Sequence, residues 1–133
     1  GLDLYNSNKK QVDVPIFPAS KGEVVYVRLG CESSRQFSEN ENLRECGAGW
    51  GNHIVIKHAS GIYTRYAHLR PDGIFKVVGD QVIQSDIIGL MGNSGRSEER
   101  HLHFEIGAFE GVFDSCGPSQ SFDKVFDPTD YGI

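Results

Sequence analysis

The sequence predicts an all-β fold, an antiparallel β-sandwich of short strands joined by long loops, on the strength of three observations. Short runs rich in β-branched and aromatic residues alternate with clusters of Gly, Pro, Asn, Asp and Ser, the punctuation of strands and turns. The 133 residues include sixteen glycines, which supply the positive φ angles that tight turns need. Before Ser119 no stretch sustains the 3.6-residue apolar period of a helix longer than a turn or two.

Taken in order, residues 12–17 and 23–29 read as strands separated by the turn Pro18-Ala19-Ser20-Lys21-Gly22. A polar loop, 32–45, follows, and Gly47-Ala48-Gly49-Trp50-Gly51-Asn52 leads into a strand at 53–58 with alternating side chains. Ala59-Ser60-Gly61 turns the chain into a second strand at 62–69, a hairpin. After the turn Arg70-Pro71-Asp72-Gly73, short strands are expected at 74–78, 81–83 and 87–91, then a loop at 92–97 and a last clear strand at 101–106. The chain suits one domain spanning 1–133, with a core at about 1–106 and an extension at 107–133. Phe109, Phe113, Phe122 and Phe126 imply that this extension packs back on the sandwich, and the spacing of the last two admits a short helix.

A formal net charge of -5 leaves no basic field for a phosphate backbone, so nucleic acid is not an expected partner. No run approaches the ~20 apolar residues of a bilayer span, so no membrane insertion is expected of this domain. Gly1-Leu2-Asp3-Leu4 lacks the basic and apolar regions of a signal peptide, as expected of a chain already trimmed. Cys31, Cys46 and Cys116 form no Cys-x-x-Cys pair, which excludes a zinc ribbon. A Cys31–Cys46 bridge across the polar loop suits an oxidising compartment, two unpaired thiols being the alternative, and Cys116 is left over.

The chemistry concentrates in histidines. In His101-Leu102-His103-Phe104-Glu105-Ile106 the two-residue period of a strand puts His101, His103 and Glu105 on one face and the apolar residues on the other. His68 ends the second hairpin strand just before a turn, where sites assemble, whereas His53 and His58 read as ordinary structural or surface histidines. Asp3, between two leucines, breaks the alternation of an exposed edge and is a candidate to face a cavity.

Five ordered blocks, residues 51–58, 63–69, 79–82, 88–95 and 101–105, together resemble the lysostaphin-type zinc metallopeptidases from about Gly1 to Ile106. The resemblance implies a barrel-sandwich (duplicated hybrid motif) fold and hydrolysis of peptide cross-bridges or stem peptides of bacterial peptidoglycan by an exported protein, whether periplasmic, envelope-bound or extracellular. It implies Zn2+ as cofactor, with Asp3 and His103 as metal ligands and His68 and His101 as catalytic residues beside them. A first ligand histidine, from a His-x-x-x-Asp motif, would fall two positions before Gly1. Ser97-Glu98-Glu99-Arg100 replaces the small, glycine-containing lead of the family, so the substrate groove should differ in shape and charge. Zinc with an open coordination position activates water near neutral pH, which is the chemistry such a donor set serves. A second implication is a non-catalytic module of the same fold that binds peptidoglycan or activates a cell-wall hydrolase partner. Turns at 79–82 and 86–89 also resemble those of biotinyl and lipoyl carriers and of sugar-transport phosphocarriers, but no lysine lies at a hairpin tip between them, and a phosphocarrier would take phosphate on His68 or His101 in an apolar bowl.

Overall fold

The computed structural model describes residues 1–33, 45–97 and 99–131. Residues 34–44 of the polar loop and Glu98 of the divergent lead lie outside the described residues.

The architecture is all-β and antiparallel. Strands β1 (Leu2–Leu4), β2 (Pro15–Ile16), β3 (Gly22–Arg28), β4 (Asn52–Lys57), β5 (Ile62–Ile74), β6 (Gln81–Val82), β7 (Gly89–Met91), β8 (Leu102–Ala108) and β9 (Lys124–Phe126) are joined by hydrogen bonds into one network. Its main order is β1-β8-β5-β4-β3-β6; β7 bridges β2 to β5, and β9 extends the edge of β8. Helical geometry among the described residues is confined to short 3-10 turns at Cys46–Gly49, Ala59–Gly61 and Pro128–Tyr131.

Alternation along the central strands builds two apolar layers. Ile54, Ile56, Tyr66, Leu102, Phe104 and Ile106 meet Val24, Leu69 and Ile88 in the larger core. Val55 and Tyr63 project to the opposite face, where they pack with Tyr26, Phe113 and Phe122. The face of β8 that carries the histidines is therefore also a packing face along the rest of its length, supplied by the extension. Cys31 and Cys46 are disulfide-bonded, and Cys116 is a free, exposed thiol.

Several local expectations need correction. Of residues 12–17 only Pro15–Ile16 forms a strand, opposite Leu90 and Gly89 of β7. The hairpin strand does not stop at Leu69: β5 bends through Arg70-Pro71-Asp72-Gly73 and ends at Ile74. Beyond it, the side chain of Asp80 accepts from Val77 N at 2.9 Å and that of Asp86 from Ile83 N at 2.8 Å, so side-chain turns replace a strand at 74–78. The segment holding Phe126 is not helical but forms β9, with Ile106 opposite Phe126, because the free edge of β8 offers ladder partners.

Candidate metal centre

The site is built on a row of the sheet. Asp3 of β1 lies opposite His103 of β8, and His103 lies opposite Ala67 of β5. One rung further in, Glu105 faces Arg65. Ala67 is small and leaves space in front of the His103 ring. His68 reaches the same space through a break in alternation. The β4–β5 register shifts between Asn52 and Ile54, and His68 takes a left-handed φ of 61°. Such bulges re-aim side chains beside functional sites, and a non-glycine residue in this conformation stores strain.

Loops 46–52 and 92–97 cross beneath His68. The His68 Nδ1–H donates to the Ser94 carbonyl at 2.7 Å, and Ser94 Oγ is fixed in turn by Leu69 O at 2.7 Å and Asn52 N at 3.0 Å. His101 Nδ1–H donates to Glu99 O at 2.9 Å, and Tyr5 stacks on the ring at 5.3 Å between centroids. These bonds leave Nε2 of each ring as the free acceptor. The His68 and His101 centroids are 4.7 Å apart, and those of His68 and His103 are 5.9 Å apart. With Asp3, Trp50 and Arg96 they line an open groove of about 320 Å³.

The electrostatics separate the histidines. Burial pulls His68 down to about 4, against the opposing effect of its bond to Ser94, so it is neutral at pH 7. His103 moves the other way: its hydrogen bond to Glu105, assisted by Asp3, outweighs burial and raises its pKa. Asp3 Oδ1 is 2.8 Å from His103 Nδ1 and Glu105 Oε1 is 2.8 Å from Nε2, so the ring bridges two carboxylates. Burial pushes Asp3 and Glu105 up, but the hydrogen bond to His103 and neighbouring positive charge hold both below their ordinary values.

All four candidate residues, Asp3, His68, His101 and His103, thus share one groove. His53 and His58 do not join them. His53 is buried against Tyr26 and Trp50, and His58 is bonded to Lys21 O and Thr64 Oγ1, each at 2.8 Å. In type, the donors fit zinc: a carboxylate oxygen and an imidazole nitrogen face each other, and His101 Nε2 is 3.6 Å from Asp3 Oδ1. In number they are incomplete, since among the described residues no group of three or more His, Cys, Asp or Glu is arranged to hold an ion.

Sequence reasoning passed over Trp50, Arg65, Ser94 and Tyr5. A lone tryptophan in a glycine-rich segment and a charge inside a buried strand were signals for the first two. Nothing local marks Ser94, whose role arises only where two loops cross.

Residues 1–114 match Peptidase family M23, and the chain belongs to that family. It is 42% identical over 57 residues to the DD-carboxypeptidase/endopeptidase Mpg of Neisseria gonorrhoeae, covering 43% of this chain but only 13% of that protein. Its fold is that of the catalytic domain of lysostaphin from Staphylococcus simulans, with a TM-score of 0.62 at 24% identity, over 97% of this chain and 74% of that one. A zinc-containing peptidase from Vibrio cholerae aligns with a TM-score of 0.55 at 29% identity, over 80% of this chain and 27% of the other.

Proposed function

We propose that the domain is a zinc-dependent endopeptidase that hydrolyses cross-bridges or stem peptides of bacterial peptidoglycan. The observation that carries this reading is the contact of Asp3 with His103 in the same groove as His68 and His101. Family membership and the endopeptidase named among its relatives support the substrate class. That substrate places the protein in the envelope, periplasm or exterior, and the Cys31–Cys46 bridge suits an oxidising compartment.

In this reading Asp3 and His103 are protein ligands, and the third is the histidine that the His-x-x-x-Asp spacing puts two residues ahead of Gly1. When bound, zinc supplies Lewis-acid polarisation and acidifies water to a pKa near ~7. The chain's own histidines do the rest. Ser94 holds His68 in the tautomer whose Nε2 accepts a proton, and Glu99 does the same for His101. Together they orient the attacking water, take up its proton and return it to the departing amine. Arg96, paired with Glu45 on the groove rim, sets the charge that an incoming peptide meets.

Zinc titration of the protein expressed from its complete gene, with digestion of purified peptidoglycan and mass analysis of the fragments, tests this. Tight zinc uptake and chelator-sensitive release of peptide fragments are expected; a folded protein that takes up no zinc refutes the proposal. A second reading is a non-catalytic module that binds peptidoglycan or activates another wall hydrolase. Binding to purified wall without zinc uptake or cleavage is its signature.

A further inference from the structure

Arg65 is wholly buried, yet its position is not one the apolar core demands. Its guanidinium carbon lies over the Trp50 ring, 3.4 Å from the centroid, and over the Phe122 ring at 4.8 Å. Nη2 donates to the carbonyl of Gln120, while Nε and Nη1 have no hydrogen-bond partner among the described residues. Glu105 stands opposite, its Oε2 3.7 Å from Nε and its Oε1 turned to His103 Nε2 at 2.8 Å. Trp50 also helps hold the Glu105 pKa below its ordinary value. A buried cation with an incomplete set of partners is costly and persists where surrounding structure holds it.

Part of that surrounding structure is the extension. Gln120 and Phe122 lie beyond residue 114, outside the stretch that matches the family. Phe122 is anchored by Tyr63 at 6.1 Å and Phe113 at 6.1 Å, and Gly117 O accepts from Tyr26 at 3.0 Å, pinning the segment that presents the Gln120 carbonyl.

We infer that Arg65 is a positioning residue for the metal centre and that the segment from Phe113 to Phe122 holds it in place, so that the extension is a working part of the site. The path is short: Gln120 and Phe122 fix Arg65, Arg65 and Trp50 fix the Glu105 carboxylate, and Glu105 fixes the ring of His103. Outer partners that orient a ligating histidine typically change metal affinity by about 10–100-fold when removed. The inference rests on the zinc reading above, and its test separates the two.

The protein from its complete gene is compared with Arg65→Met and Phe122→Ala. Zinc affinity is measured by chelator competition, and the ring nitrogens of His103 are followed in the metal-free protein by long-range 1H–15N correlation. Each folded variant is expected to bind zinc about 10–100-fold more weakly, and its His103 Nε2 signal to shift as the bond to Glu105 loosens. If Arg65→Met does not fold, Phe122→Ala, which keeps the charge, gives the answer. Affinity within about twofold of the parent overturns the inference. So does weaker binding with unchanged His103 signals, because the effect would not run through Glu105. If the parent itself takes up no zinc, the proposed function falls, and the nitrogen signals alone decide the role of Arg65.

Discussion

Acidification should destabilise this domain well above the pH at which carboxylates titrate, and His53 is the main reason. It is fully buried, stacked on Tyr26 at 5.4 Å, and its Nδ1–H is used by Gly51 O at 2.9 Å. Burial, reinforced by the charge of Arg65, pulls its pKa from 6.5 to about 3. A depressed folded value means that the contribution to stability is complete above pH 6.5 and is lost as the pH falls towards 3. At about 1.4 kcal/mol per pH unit, going from pH 6.5 to pH 5 costs about 2 kcal/mol. His68, pulled to about 4, adds a loss of the same sign and of similar size in the metal-free protein. Against a typical domain stability of about 5–15 kcal/mol the sum is large. Urea unfolding at pH 7 and pH 5, read by the fluorescence of Trp50, measures it. His53→Gln should lower stability at pH 7 but flatten the pH dependence by about 2 kcal/mol. Equal stability of the parent at both pH values, or an unchanged slope in His53→Gln, would refute the reasoning.

Three further outcomes follow from the geometry. Gly51→Ala puts a methyl group against Ser94, 2.5 Å from its carbonyl carbon, at a φ of +64°, and should cost about 3 kcal/mol by thermal or urea unfolding. Reducing the Cys31–Cys46 bridge, which spans 15 residues, should cost about 3 kcal/mol in the chain-entropy account, checked by unfolding with and without reductant. His68→Ala should lower peptidoglycan cleavage by about 10²–10⁴-fold, while zinc affinity measured by chelator competition stays near the parent value.

The fold was legible because its strands follow elementary rules. Ile54 and Ile56 alternate with Val55, and Ala59-Ser60-Gly61 closes the hairpin to β5. The pair His101 and His103 was readable from the same period, as was the apolar opposite face of Leu102, Phe104 and Ile106. What the sequence left unread depends on pairing across distance. Asp3 stood out in the sequence, but its contact with His103 depends on the register of β1, a short edge strand. His68 follows strand alternation on paper, but a bulge and a left-handed φ turn it toward the groove. The spacing of Phe122 and Phe126 fits a helix as well as a strand, and only the open edge of β8 decides between them.

The pairing of β5 with β8 explains why one face serves both as core and as site. Moving inward from the groove, the opposed pairs are Ala67 with His103, Arg65 with Glu105, and Tyr63 with Gly107. The polarity changes rung by rung, from a small residue beside a half-buried imidazole, through an ion pair, to an aromatic ring. Gly107 makes the last rung possible: a Cβ there would sit 2.7 Å from Phe122 Cδ2 and strike the Lys124 carbonyl. A histidine whose two nitrogens are both engaged needs rigid neighbours on the inner side, since its outer side is open to substrate. The aromatic cluster of the extension supplies that rigidity one rung from the ion pair, so the groove stays open without loosening its donors. Gly107→Ala carries the consequence: by displacing Phe122 it should unsettle Arg65 and weaken zinc affinity although it touches no residue of the groove.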